Sequence, residues 1–257
     1  GAGFLKYFTA GFFTTCGLAA VGSPCTDEGE ELPLHGTISN TPSIRHAVWE
    51  DEAAITIEAE VHDAALFAHK LCLVRKYTVS KKENKITLSD TITNIGSAPS
   101  PLLLLYHCNM GYPLLSENAR VDIPSSGIRG RDALAAGDIP TCLEMEKPQK
   151  GYTERCFYHD AKERGGVAVC GIYNADIDRG MVMHYKKDTL GFFTEWKMMG
   201  EGEYVLGLEP GNCTPDGRDV MRKNGTLTML EAGEEYKTEV SFTFTKGEAA
   251  YEKQLGE

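Results

Sequence analysis

The sequence predicts an all-β protein, built as an antiparallel sandwich or barrel, and three observations favour that class. Apolar and polar residues alternate along most segments: at 85–94, Ile86, Leu88 and Ile92 share one face, and threonines and a serine share the other. Turn-forming pairs such as Asn224-Gly225 separate these segments. Helical patterns are too short to anchor a doubly wound sheet, and neither glycine-rich nucleotide-binding motif occurs.

Strands are predicted wherever alternation or a short apolar run is bounded by turn residues. In chain order they are 54–61, 71–79, 85–94, 102–106, 166–173, 181–185, 204–208, 226–230 and 237–244. Short helices are predicted at 132–136 and 248–255. The segment from about 125 to 165 mixes glycine, proline and charge, which favours a long loop over a sheet edge. Asp90 interrupts an apolar face, so we expect it near an edge or a polar site.

Length and charge restrict the class of protein. A chain of 257 residues with 42% hydrophobic residues can bury a sizeable core, and we expect one domain over residues 1–257. A formal net charge of −11 disfavours nucleic acid and anionic membranes as partners, because phosphates would be repelled. No apolar run is long enough for a transmembrane helix, and no secretion signal is evident. The absence of an initiator methionine leaves room for an upstream segment.

The eight cysteines lack the spacing of a metal-binding or disulfide framework. They stand at 16, 25, 72, 108, 142, 156, 170 and 213, with no CxxC pair. We interpret them as mostly free thiols and expect a cytoplasmic location, although the even count leaves a disulfide-bonded secreted domain as the alternative.

Three short polar segments follow apolar or acidic stretches and include the residues best suited to proton transfer. His35 lies in Leu34-His35-Gly36, where the glycine lets a ligand approach the backbone. His107 ends the apolar run 102–106, and an imidazole gives and takes protons near neutral pH. Glu209 follows the apolar strand 204–208, so partial desolvation would make it a stronger base. Each residue also has a non-catalytic interpretation. His35 would be a surface histidine and His107 would hydrogen-bond a loop carbonyl. Glu209 would pair with Arg218 or Arg222.

Further residues are candidates for binding a substrate. Trp196, with Trp49 and Tyr112, offers flat faces on which a sugar ring can stack, and Asn109 and Asn212 can hydrogen-bond hydroxyl groups. Core packing and turns are the commoner roles of these residue types. The arginines that could clamp an anionic group on a substrate are Arg45, Arg129 and Arg131, although exposed arginines are most often solvated.

Taken in order, these segments resemble galactose mutarotases (aldose 1-epimerases). Leu34-His35-Gly36 is similar to that family's Leu-His-Gly element, Tyr106-His107-Cys108-Asn109 to its histidine motif, and Gly207-Leu208-Glu209 to its glutamate strand. The likeness is greatest to a divergent branch known only as aldose 1-epimerase-like, a domain of unknown function. It extends from residue 11 to about residue 235. The additional matching segments are 11–18, 34–42, 106–115 and 208–212.

The resemblance implies an antiparallel β-supersandwich with a sugar pocket on its concave sheet. Glu209 would then be the base that takes the proton of the anomeric hydroxyl, His107 the acid at the ring oxygen, and His35 a polarising group. No metal or cofactor is implied. Two departures from the family bear on the substrate. Residues 1–34 contain no counterpart of the family's substrate-binding arginine, for which Arg45 or Arg129 are replacement candidates. Pro210-Gly211 stands where the family has Thr-Gln.

Two alternatives use the same residues. His35, His107 and Glu209 are also a ligand set for a divalent metal, which would make the protein a metal-dependent sugar isomerase or lyase. A non-catalytic carbohydrate-binding module is the other alternative. In each case we expect a small carbohydrate as the partner, and the edge strands of a sandwich make a homodimer a further expectation.

Overall fold

The computed structural model describes residues 2–6, 8 and 10–256. Strands within these residues are β1 Thr14–Leu18, β2 Cys25–Asp27, β3 Glu30–Leu32, β4 Arg45–Glu50, β5 Ala54–Ala64, β6 Lys70–Ser80, β7 Lys85–Asn94, β8 Ser100–Met110, β9 Ala119–Asp122, β10 Ser125–Gly130, β11 Arg155–Ala161, β12 Glu163–Arg164, β13 Val167–Asn174, β14 Arg179–Lys186, β15 Phe192–Met199, β16 Tyr204–Gly211, β17 Thr228–Leu230 and β18 Glu235–Lys246. Helices are α1 Ala2–Leu5, α2 Ala133–Asp138, α3 Arg218–Lys223 and α4 Glu248–Gly256, with 3₁₀ turns at Ile38–Asn40 and Ile139–Thr141.

Two large antiparallel sheets form the fold, which confirms the predicted all-β supersandwich. The first has the strand order β1-β8-β16-β15-β11-β10, with β17 also paired to β8. The second has the order β12-β13-β14-β18-β7-β6-β5-β4, with β9 paired to β13. Strands β2 and β3 form a separate hairpin.

Strand β8 is covered on both faces, which explains its continuous apolar run. Leu104 and Tyr106 belong to the main core between the sheets, whereas Leu103 and Leu105 pack in a second cluster on the other face. A strand buried on both faces has no reason to alternate apolar with polar residues. His107 and Asn109 continue the second face, away from the main core.

A buried ion pair explains the polar residue in the apolar face of β7. Asp90 accepts two hydrogen bonds from Arg75, at 2.8 and 2.6 Å, and one from the hydroxyl of Tyr106 at 2.6 Å. Arg75 also donates to Thr15 on β1 at 2.6 Å. Since Arg75 and Asp90 belong to the second sheet and Tyr106 and Thr15 to the first, the network joins the two sheets through the core.

The prediction of a long loop over 125–165 is wrong in part. Strand β10 opens this region, and β11 closes it as an interior strand of the first sheet between β10 and β15. Strand β15 was not predicted because Glu195 and Lys197 interrupt its apolar alternation, yet both are buried. The helix predicted at 132–136 is confirmed as α2, whose first turn is capped by Asp132 accepting from the Ala135 amide at 2.9 Å. The helix at 248–255 is confirmed as α4.

All eight cysteines lie within the described residues, and every one is a free thiol. Within that same part of the chain, no helix has the length and apolar character needed to cross a membrane.

Candidate functional site

A cavity of about 680 Å³ opens on the face of the first sheet that points away from the main core. Strands β8 and β16 form its floor, because every second residue of each strand points to this face. His107 and Asn109 come from β8, and Glu209 comes from β16. The cavity therefore gathers polar residues from distant parts of the sequence.

His107 and Glu209 face each other across two neighbouring strands. The register that pairs Leu208 with Cys108 places Glu209 opposite His107. The Nε2 atom of His107 lies 3.1 Å from Oε1 of Glu209, and the residues are 5% and 2% exposed. The pair is therefore within proton-transfer distance and almost completely removed from water.

Gly207 leaves the space that the Glu209 carboxylate occupies. The two residues point to the same face of β16, and a Cβ atom on Gly207 would lie 2.3 Å from Oε1 of Glu209. A larger residue at this position would displace the carboxylate from His107. The Gly-Leu-Glu order thus has a direct geometric reason.

His35 reaches the cavity from a tightly held loop. Its backbone is left-handed at φ 58°, its amide donates to Gly22 at 2.9 Å, and its carbonyl accepts from Gly17 at 3.1 Å. Gly36 is also left-handed at φ 72°, and a Cβ there would lie 2.2 Å from the carbonyl oxygen of Gly17. The ring centroid of His35 consequently lies 5.7 Å from that of His107.

Burial sets the protonation of these groups. Desolvation lowers the pKa of His35 to about 4, and desolvation followed by the neighbouring His35 lowers the pKa of His107 to about 3. Desolvation raises the pKa of Glu209 well above its ordinary value, and the charge of Glu154 adds to that rise. At neutral pH both imidazoles are therefore uncharged, and the proton of the His107–Glu209 pair is favoured on the carboxyl.

One arginine lies in the cavity, and it belongs to a charge pair. Arg131 donates from Nη2 to Oε1 of Glu154 at 2.7 Å, and the indole nitrogen of Trp196 donates to Oε2 of Glu154 at 2.7 Å. The Trp196 ring is half-buried with its centroid 5.5 Å from that of His107. Glu154 thus fixes both a cation and a flat aromatic surface at the cavity wall.

The structure brings some of the predicted binding residues to this cavity. Trp196, Asn109 and Arg131 line it. Asn109 donates from Nδ2 to the carbonyl of Gly11 at 3.1 Å, and its Oδ1 has no hydrogen-bond partner. Asn212 instead joins strands: it accepts from the Leu104 amide at 2.7 Å and donates to the Leu102 carbonyl at 3.0 Å.

The other predicted binding residues lie elsewhere. Arg45 is exposed on β4, an edge strand of the second sheet, where it pairs with Glu60. Arg129 is exposed and lies over the ring of Tyr158, 4.0 Å from its centroid, beside a different cavity. Tyr112 is 82% exposed and does not line the site.

The alternative partners considered for Glu209 are engaged elsewhere. Arg218 and Arg222 both bind Asp27, at 2.7 and 2.8 Å. Their pairing with Asp27 leaves the Glu209 carboxyl opposite His107.

Among the cavity residues that sequence reasoning missed are Glu154, Phe4 and Phe8. The Phe8 ring stacks with His35 at 6.2 Å and meets the edge of His107 at 5.6 Å, and the Phe4 ring lies 5.6 Å from His35. A cluster of phenylalanines near the first residues was the only available signal, and it is not specific. Glu154 lies in the segment predicted to be a loop.

The His35, His107 and Glu209 set does not bring its donor atoms together as metal ligands do. Among the described residues, two groups hold three such atoms within 4.8 Å of one another: Glu60 with His62 and Cys72, and Cys142 with His159 and Glu195. The cavity residues belong to neither group.

Comparison with known structures shows the same fold in sugar-epimerase-like proteins. A "putative aldose 1-epimerase" from Klebsiella pneumoniae superimposes with a TM-score of 0.89 at 24% identity, over 95% of this chain and 65% of that one. The chain thus spans less than two thirds of that protein. A galactose mutarotase-like protein from Clostridium acetobutylicum gives a TM-score of 0.66 at 16% identity, covering 91% and 79% of the two chains. A galactose 1-epimerase from Lactobacillus acidophilus gives 0.61 at 13% identity, also covering 91% and 79%.

No curated protein sequence matches the chain significantly. A family model, described as a domain of unknown function (DUF4432), matches residues 1–244. Since this match includes nearly the whole chain and the fold is that of the galactose mutarotase-like proteins, the chain belongs to the DUF4432 family.

Proposed function

We propose that the protein interconverts the anomers of an aldose by opening and reclosing the sugar ring. The observation that supports this most directly is the 3.1 Å approach of His107 Nε2 to Glu209 Oε1 on the floor of the cavity. Anomer exchange needs one group to take a proton from the anomeric hydroxyl and another to give a proton to the ring oxygen. A buried imidazole and carboxyl that hold one proton in total can do both, because one gives a proton while the other takes one.

The steps of anomer exchange follow from which of the two residues holds that proton. In the tautomer with ionised Glu209 and protonated His107, the carboxylate takes the proton of the anomeric hydroxyl. The C1–O5 bond breaks, its electron pair goes to O5, and His107 gives its proton to O5. His35 polarises the sugar beside the ring oxygen. After rotation about the C1–C2 bond, the same transfers run in reverse and close the ring from the other face. Each positioned proton transfer typically supplies about 10²- to 10⁴-fold acceleration.

The electrostatics of the cavity favour the middle of this cycle. Once the ring is open, Glu209 holds a proton and His107 is neutral. Burial favours this same distribution, because it raises the pKa of Glu209 and lowers that of His107 to about 3. We infer that the cavity stabilises the protonation state of the ring-opened intermediate. Activity should then persist over a wide pH range, ending on the acid side where His107 and Glu209 are both protonated.

A neutral sugar suits the remaining side chains of the cavity. Arg131 already neutralises Glu154 at 2.7 Å, so neither presents an unbalanced charge to a phosphate or carboxylate. The half-buried face of Trp196 offers a surface for the apolar C–H side of a sugar ring. We propose an uncharged aldose as the substrate class.

The test is the rate at which freshly dissolved α-anomers reach equilibrium, followed by polarimetry or proton NMR. Wild-type protein should accelerate this approach for at least one neutral aldose, and Glu209→Gln and His107→Asn should abolish the acceleration. Glu52→Gln and His46→Asn alter exposed residues of the same types and should behave as wild type. Binding of a sugar without acceleration would identify a carbohydrate-binding module instead, and neither binding nor acceleration across a broad panel would end the proposal.

A further inference from the structure

We propose that Cys142, His159 and Glu195 form a binding site for a divalent transition metal, with zinc as the best fit. These residues offer one thiol, one imidazole and one carboxylate atom within 4.8 Å of one another, and all three are buried. They lie on the opposite face of β11 and β15 from the sugar cavity, because His159 and Glu195 alternate with Tyr158 and Trp196 along these strands. The site is therefore separate from the proposed proton-transfer pair.

The hydrogen bonds of His159 fix which ring nitrogen faces the cluster with a lone pair. The hydroxyl of Ser125 donates to the carbonyl of Ile123 at 2.9 Å, so its oxygen accepts from Nδ1 of His159 at 3.0 Å. The Nδ1 atom then holds the proton of a neutral imidazole, and Nε2 has the lone pair. Nε2 lies 2.9 Å from Oε2 of Glu195, so two acceptor atoms meet there unless a cation lies between them. In the metal-free protein that cation is a proton.

The carboxylate also has an unused oxygen. Both side chains of the His159–Glu195 pair are 0% exposed, and Oε1 of Glu195 has no hydrogen-bond partner. An unpartnered carboxylate oxygen in the interior is costly unless a cation or donor satisfies it. Lys197 lies two residues along the same strand but does not donate to this oxygen. Its ammonium group donates to the Glu144 carbonyl and lies 3.2 Å from Glu146.

The donor set points to zinc rather than to calcium or magnesium. Thiolate, imidazole and carboxylate are the three ligand types that zinc uses, whereas calcium and magnesium prefer oxygen alone. Ser125 provides the outer contact that usually orients a metal-binding histidine. Binding would release the thiol proton of Cys142 and the proton shared by His159 and Glu195.

The location suggests what the metal would do for the protein. Cys142 ends the 3₁₀ turn Ile139–Thr141, within the segment between β10 and β11, whereas His159 and Glu195 belong to interior strands of the first sheet. A metal would thus fasten this segment to the sheet. The same segment holds Arg131 and Glu154, which line the sugar cavity.

Cobalt provides a direct test with the 257-residue chain. Chelator-treated wild-type protein, given Co²⁺, should develop a thiolate-to-cobalt charge-transfer band and the intense visible bands of a four-coordinate site, and Zn²⁺ should abolish both. Cys142→Ser should lose the charge-transfer band, and His159→Gln should weaken the visible bands. Cys156→Ser, which alters a buried cysteine of the sugar cavity, should keep the wild-type spectrum.

Absence of the charge-transfer band in wild-type protein would overturn the proposal whether or not the variants fold. A band that survives in Cys142→Ser and disappears in Cys156→Ser would also overturn it, because the metal would then lie in the sugar cavity. Anomer exchange is measured separately, so loss of one property with the other intact distinguishes the two proposals.

Discussion

Replacing Glu209 with glutamine should abolish anomer exchange and at the same time stabilise the protein above about pH 5. Burial raises the pKa of this carboxyl above its ordinary value of 4.5. At pH values between the ordinary pKa and the raised pKa, Glu209 keeps its proton in the folded protein but has lost it in the unfolded chain. The free energy of unfolding therefore falls as the pH rises through that window, and below pH 4.5 the carboxyl is protonated in both states and adds no penalty.

The size of the effect follows from linkage. Each pH unit within the window reduces the stability of the wild type by about 1.4 kcal/mol, and glutamine, which cannot ionise, removes that loss. For a domain of this size the difference in Tm between variant and wild type should grow by about 3 to 5 °C per pH unit. Urea unfolding and thermal melting at several pH values from 4.5 upwards measure both quantities.

A stability difference between Glu209→Gln and wild type that does not change with pH would refute this reasoning. A variant less stable than wild type at neutral pH would also refute it, because Glu209 of the wild type would then be ionised and stabilised by a partner. Glu52→Gln removes an exposed carboxylate and should leave the Tm unchanged at every pH.

Three further changes test the local geometry. Gly207→Ala should reduce anomer exchange by about 10²-fold with little loss of stability, because its Cβ would lie 2.3 Å from Oε1 of Glu209; steady-state rates and thermal melts check this. Gly36→Ala should destabilise the protein by about 1 to 3 kcal/mol more than Gly29→Ala in urea unfolding, since both positions have positive φ but only the first is crowded by backbone. Arg75→Met should cost about 3 to 5 kcal/mol in the same assay, because it leaves a buried carboxylate unpaired.

The positions of His107 and Glu209 could be predicted from the sequence because strand geometry determines them. His107 and Glu209 each continue an apolar run within one strand, where successive side chains point to opposite faces, and the register of β8 and β16 sets them opposite each other. Gly36 beside His35 was expected to let a ligand approach the backbone, but in the structure it is the carbonyl of Gly17 that lies there, 2.2 Å from where a Cβ would stand. Such requirements leave a short pattern in the sequence.

The residues that escaped prediction depend on contacts between distant segments. Glu195 and Lys197 resemble the polar side of a loop, yet both are buried, where one oxygen of Glu195 contacts His159 and Lys197 donates to the carbonyl of Glu144. No local pattern reveals a partner that lies about 36 or 53 residues away. For the same reason β15 and the interior position of β11 were missed.

The positions of the candidate arginines bear on the proposed substrate class. Three arginines were candidates for binding a substrate, and the structure separates them: Arg45 lies at a sheet edge, Arg129 lies over Tyr158, and Arg131 lines the cavity and is bonded to Glu154. His107 and Glu209, the proposed proton-transfer residues, belong to strands of the sheet, whereas Arg131 and Glu154 belong to the segment between β10 and β11. Under the proposed function, changes in that segment alter how a sugar is bound without moving His107 or Glu209, so we expect Arg131→Met to raise the KM of anomer exchange more than it lowers kcat.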